Sequence, residues 1–374
     1  MTMDPQLGHI SKGSVHVKDG EIVDVDAAIS APGAEVIDAD GMIVLPGLVE
    51  THWHRWSSLL RSMAIGEPKY GYFPTAAALG RHFLPNDIYC GVRLATAEAI
   101  DSGITCVHDW AHNLRTPEHA DEKLRALRES GIRGRFSSGP ARGVPITETL
   151  DLGDVERLHQ SWKPHSNDGM LSLGLAWRGV QYAVTAPDGK MAFQAIPESV
   201  YRKEYDVARS LDIPITAHVS IGPKVDFGHV ASLDRLGLLY KDLQLVHMIS
   251  STPDEIEVVA KAGCPVSFSP YTEMRTGFGL PKPSIYLEKG IRVALSVDTT
   301  ALSGDANMFE IMKGIQNVEN AAAFSEFKMA ARRALELGTI EGARSLGMDA
   351  RSGSLVKGKR ADLITIDTRR ATPG

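Results

Sequence analysis

At 374 residues, with 43% hydrophobic and 23% charged side chains, the chain has an ordinary globular composition and room for one large domain or two smaller ones. A net charge of −6 leaves no basic footprint for nucleic acid, and no apolar run approaches the ~18 residues of a membrane span. The N-terminal stretch lacks the basic and apolar regions of a signal peptide, and Cys90, Cys106 and Cys264 are odd in number and far apart, which argues against a disulfide framework and for a cytoplasmic protein.

The first segment reads as β. Residues 14–17 and 21–25 flank Asp19-Gly20, a strong short hairpin signal, and residues 35–37 and 42–44 continue the pattern. After the apolar run 42–45 and Pro46-Gly47 come His52 and His54. In a strand, residues two apart point the same way, so two imidazoles converge on one point while Trp53 turns toward the core. That pair suits a divalent metal ion. Surface and core histidines also fall into this spacing, so the reading requires further ligands. Trp56 follows, read as facing the pocket. The long segment 62–86, with Tyr70, Tyr72 and Phe73, is read as a lid or a subunit contact.

Strands and helices then alternate. Strands are expected over 103–107, 132–136, 171–176, 213–217, 243–246, 265–268 and 291–297, with helices over 87–101, 117–130, 198–211, 253–262, 308–318, 326–337 and 339–346. Counting the strand before His52, about eight short strands are separated by helices. That predicts an α/β fold, a (β/α)8 TIM-like barrel of the ~250-residue kind, although a doubly wound open sheet alternates similarly. A last strand over 363–366 suggests a small β-sandwich built from both chain ends. The expected domains are 1–44 with 353–374, and a barrel over 45–352.

Polar residues fall at predicted strand ends: His52 and His54, then His218, His247 and Asp298. One strand-helix unit separates His218 from His247, and roughly two shorter units separate His247 from Asp298. A barrel brings such residues to one rim, where catalytic groups sit. A single histidine at a strand end is more simply structural, but the set is harder to explain so. His108 and His112 follow a strand, as substrate-facing residues or as support for the site. Arg178 is placed to hold a carboxylate or carbonyl oxygen, or to make a surface ion pair.

The segments VLPGLVETHWH (44–54), ITAHVS (215–220), LVHM (245–248), LSVDTTALSGDANMFEIM (295–312) and GSLVKGKRADLITID (353–367) resemble, in order and over nearly the whole chain, the amidohydrolase superfamily and its cytosine-deaminase-like and chlorotriazine-hydrolase-like branch. The resemblance implies a barrel capped by a small β-sandwich. It implies one divalent metal, Zn²⁺ before Fe²⁺ or Mn²⁺, held by His52, His54, His218 and Asp298. It implies that His247 orients or polarises water or substrate and that Asp298 also takes the proton of the attacking water. The implied reaction is hydrolysis of a C–N bond in a cyclic amide, amidine, carbamate or amino-substituted heteroaromatic ring. Ring deamination of a purine, pyrimidine or triazine, and a non-hydrolytic lyase or decarboxylase on the same fold, are the alternatives. A small-molecule substrate and a homo-oligomer are expected, without nucleic acid or membrane partners. One departure stands out: many such deaminases carry a glutamate three residues after the equivalent of His218, where this chain has Ile221, and no carboxylate follows until Asp226. Asp298 and His247 then handle the proton alone, or Glu273, in the loop expected after the 265–268 strand, replaces the missing acid, or the site has lost hydrolytic activity or changed reaction; Glu273 as a solvated loop residue is the plainer alternative to its catalytic role.

Overall fold

The computed structural model describes residues 1–185, 191–222 and 228–369. Eight parallel strands form one sheet: β1 (Leu48–Trp53), β2 (Ile104–Ala111), β3 (Arg133–Ser138), β4 (Leu171–Trp177), β5 (Ile215–Val219), β6 (Leu243–His247), β7 (Val266–Phe268) and β8 (Val293–Leu295). They pair in chain order from β1 to β8. A parallel bridge from Trp53 to Asp298 joins the two edges, so the sheet is nearly closed and the open-sheet alternative falls away. Right-handed crossovers between parallel strands require intervening helices, which is why the strands alternate with them in sequence.

Local chemistry sets the helix ends. The helix Pro253–Ala262 starts on a capping box: Thr252 Oγ1 accepts from the Glu255 amide at 3.3 Å and Glu255 accepts from the Thr252 amide at 2.9 Å. The helix Pro117–Ser130 stops at Gly131, whose φ of +66° falls in the left-handed region open to glycine.

The chain ends form two small antiparallel sheets. Ser14–Lys18 pairs with Glu21–Asp26 through Asp19-Gly20, both at positive φ, and Met42–Pro46 pairs with Leu363–Asp367. A bridge from Glu21 to Arg360 ties them. The strand expected over 35–37 does not form: Val36 and Ile37 are 86% and 85% exposed, with no strand beside them to cover them. The run 42–45 belongs to the end sheet, and the strand that carries His52 starts only at Leu48. Gly47 lies between them, where a Cβ would stand 2.0 Å from Thr105 Oγ1. A hairpin that the sequence reading did not anticipate, Gln181–Thr185 with Met191–Ala195, follows β4. All three cysteines are free, and no helix among the described residues is long and apolar enough to cross a membrane.

Candidate active site

The C-terminal ends of β1, β5, β6 and β8 bring His52, His54, His218, His247 and Asp298 together at the floor of a cavity of about 1000 Å³. His218 Nε2 lies 3.2 Å from both His52 Nε2 and His54 Nε2, and Asp298 Oδ1 lies 3.5 Å from each of those two nitrogens. Backbone bonds lock the ligand-bearing ends: the His54 amide donates to the Asp298 carbonyl at 2.6 Å, and the Asp298 amide to the His52 carbonyl at 2.8 Å. Glu50, fully buried, accepts from the amides of His52 (2.8 Å) and Val297 (3.1 Å), so one carboxyl ties β1 to the residue before Asp298. Burial pushes that carboxyl up to about 8. His247 and Asp298 hold φ values of +78° and +62°, uncommon for residues with a Cβ and found where a site fixes the backbone.

The donor set fits a metal ion. Burial holds the His52, His54 and His218 imidazoles well below their ordinary pKa, so the rings are neutral. The His54 Nδ1–H donates to the Trp110 carbonyl at 3.3 Å, which leaves the Nε2 lone pair facing the cluster. Neutral nitrogens whose lone pairs converge repel one another unless a cation stands between them. Ligand atoms about 2.1 Å from a tetrahedral ion stand about 3.4 Å apart, close to the spacing found.

Above the floor, His247 turns its Nε2 toward Asp298 Oδ2 at 3.8 Å, while its Nδ1–H donates to Glu273 at 3.0 Å. Trp110 and Phe278 wall the cavity. Phe73, on the helix Tyr72–Gly80, stacks on Phe278 across the mouth, with ring centroids 6.2 Å apart. The segment read as a lid or subunit contact therefore lines the cavity.

The other sequence candidates divide. His112 lines the cavity, its ring 4.2 Å from that of His54. Trp56 does not: it is fully buried and its Nε1–H donates to His112 Nε2 at 3.2 Å, so it supports His112 instead of meeting substrate. His108 lies below the floor inside the barrel, bonded to the Thr51 carbonyl at 2.9 Å and Ser137 Oγ at 2.8 Å, because it falls in the middle of β2 and not at its end. Arg178 reaches the cavity wall, but the buried Glu204 holds its guanidinium at 2.6 Å. Glu273 is neither a solvated loop residue nor a cavity acid. It is buried on the helix Pro270–Arg275 and engaged with His247 and the Ser269 amide. Ile221 lines the cavity, at the position where many deaminases of the resembling branch carry a glutamate, and Asp226 lies outside the described residues. The sequence reading did not single out Glu50, which adjoins the HxH motif, or Arg115 and Arg142, which line the cavity. The Pro140–Pro145 stretch around Arg142 carries the turn residues that mark a rim loop.

The sequence model of the Amidohydrolase family matches residues 43–373. The chain is 28% identical to the 5'-deoxyadenosine deaminase of Methanosarcina mazei, over 99% of this chain and 83% of that protein. Its fold matches a zinc-bound adenosine deaminase from Xanthomonas campestris, with a TM-score of 0.84 and 24% identity over 98% of this chain and 82% of that one. It also matches a variant of atrazine chlorohydrolase from Arthrobacter aurescens with zinc and atraton, with a TM-score of 0.78 and 21% identity over 97% and 84%.

Proposed function

Because the chain belongs to the amidohydrolase family, we propose that it is a metal-dependent hydrolase that uses water to cleave a C–N bond in a small, amide-like or heteroaromatic molecule. The convergence of His52, His54 and Asp298, with His218 Nε2 3.2 Å from both His52 Nε2 and His54 Nε2, carries this reading. These four hold one divalent cation, with zinc favoured by the zinc-bound structures of the same fold. Bound there, the cation supplies Lewis acidity, which acidifies water and polarises the bond under attack. Asp298, its carboxyl raised to about 6 by burial against the pull of His247, takes the proton of the attacking water and passes it to the leaving nitrogen. His247, its tautomer set by Glu273, presents the Nε2 lone pair as an acceptor for the attacking water. Trp110, Phe73 and Phe278 offer apolar faces to a flat substrate and keep bulk water from the reaction.

Ile221 favours amide, hydantoin or carbamate hydrolysis, in which Asp298 and His247 suffice, over ring deamination. The second reading, ring deamination of an adenosine-like compound, draws on the names of the relatives. A substrate panel scored by product separates them: ammonia from an aminated ring supports the second reading, and a ring-opened acid or a released amine supports the first. Absence of solvent oxygen-18 from every product would point to lyase chemistry.

Two further outcomes are expected. Glu273→Gln, which keeps an acceptor for the His247 Nδ1–H, should leave kcat within a few-fold of wild type. Glu273→Leu should lower it by about 10- to 100-fold with metal content unchanged. Equal loss in both would instead make Glu273 a proton donor. The second concerns pH. A folded carboxyl raised to about 6 favours its protonated form, so ionising Asp298 as pH rises toward 6 costs the metal-free protein stability, and a cation offsets that cost. The histidines are already neutral in that range. Metal affinity, titrated against a competing chelator, should therefore fall about tenfold per pH unit below 6 and level off above it. A midpoint near 7 would assign the proton to a histidine instead.

A further inference from the structure

We propose that the cavity above the His/Asp centre carries a subsite for an anionic group on the substrate, a carboxylate or a phosphate, held by Arg142 and Arg115. The inference rests on reading this centre as a C–N hydrolase and specifies what that hydrolase acts on.

Among the described residues, the cavity lining holds four arginines, Arg81, Arg115, Arg142 and Arg178, and a single acid, Asp298, which belongs to the proposed metal cluster. In a chain of net charge −6, this is a local concentration of positive charge. The four differ in how they are satisfied. Glu204 neutralises Arg178, whose guanidinium also bonds the carbonyls of Pro145 and Glu148. Arg81 is exposed at the rim and bonds His82. Arg115 gives one N–H to the Arg142 carbonyl at 3.1 Å, while its Nε is buried without a hydrogen-bond partner among the described residues. The Arg142 guanidinium, half-buried, has no carboxylate or carbonyl partner among the described residues.

Both arginines line the cavity without a carboxylate partner among the described residues, and like charges so placed repel one another. Burial first, and then the charge of Arg142, lowers the pKa of Arg115. An anion between the two arginines relieves this repulsion, and the planar guanidinium fork suits carboxylate and phosphate oxygens. The loop is held ready for that contact. The buried Arg178–Glu204 pair pins it at Pro145 and Glu148, Glu204 also accepts from the Leu150 amide at 2.9 Å, and Arg115 grips the Arg142 backbone. Arg178, predicted from sequence to touch substrate, thus serves to position the loop that carries Arg142. A bound cation at the floor adds to the field that draws an anion in.

The test is direct binding by calorimetry of matched pairs to the metal-loaded protein: hydantoin-5-acetate against hydantoin for a carboxylate, and adenosine 5'-monophosphate against adenosine for a phosphate. For at least one pair, the charged member should bind tenfold or more tightly than the neutral one. Arg142→Gln should remove most of that preference, and Arg142→Lys should keep part of it. The proposal is overturned by equal binding of both members of each pair, by no binding of either charged member, or by a preference that persists in the Arg115→Gln/Arg142→Gln double variant, which would assign the attraction to the metal alone. Turnover, followed separately, distinguishes the two readings. Neutral substrates cleaved without any anion preference would sink the subsite and leave the hydrolase. Anion preference without cleavage of any compound would do the reverse.

Discussion

Asp298→Asn is expected to lower kcat by about 10³-fold, within the range that positioned proton transfer contributes, while the barrel stays folded. The asparagine keeps the shape of the side chain and an oxygen near His52 and His54, and it retains the backbone bonds that join β1 to β8. It lacks the basic oxygen that faces His247 at 3.8 Å. It also removes the negative charge from a cluster that otherwise holds neutral rings, so metal affinity should fall, and the comparison is made at saturating metal. Circular dichroism and thermal unfolding separate lost chemistry from lost structure. Turnover within tenfold of wild type at saturating metal would mean that the water proton leaves by another route, with His247 the remaining candidate at the floor.

The second large effect concerns Ile221. Its side chain lines the cavity and stands three residues after His218, where many deaminases of the resembling branch carry a glutamate. Ile221→Glu should raise ammonia release from an aminated heteroaromatic ring by at least about 10²-fold, the usual minimum for a positioned general acid. Amide hydrolysis should change little. Burying a carboxyl beside apolar walls costs stability, so the variant should unfold at a lower temperature, less so when metal is bound. If the wild type already releases ammonia as fast as the variant, Asp298 and His247 protonate the leaving nitrogen unaided, and the deaminase reading takes over.

The His/Asp cluster was legible in the sequence because each of its members lies at or just after the end of a strand. Alternating strands and helices predict a barrel, and a barrel gathers strand ends at one rim, so His52, His54, His218, His247 and Asp298 could be brought together on paper. The failures share one cause. Trp56, His108, Arg178 and Glu273 lie near the site in sequence, but whether each faces substrate depends on partners far along the chain: His112 for Trp56, Ser137 for His108, Glu204 for Arg178 and His247 for Glu273. Periodicity does not encode such pairings. His108 also shows how an error of a few residues in a strand end misplaces a side chain: the strand expected to stop at residue 107 runs on to Ala111, which leaves His108 inside the barrel. The strand expected over 35–37 had the right residue types but nothing to pair with. The left-handed backbones of His247 and Asp298 leave no mark in sequence, since neither residue is glycine. Arg142 could have been noticed as a cation on a proline- and glycine-rich rim loop, but that it meets no carboxylate among the described residues is visible only in three dimensions.

The most direct measurement is the metal content of the purified protein by elemental analysis, wild type beside His54→Ala, each before and after incubation with zinc. One equivalent per chain in the wild type, lost in the variant while its thermal unfolding remains cooperative, is the predicted result. No metal in the wild type even after incubation, or an equivalent retained by His54→Ala, would contradict the centre on which the hydrolytic mechanism depends.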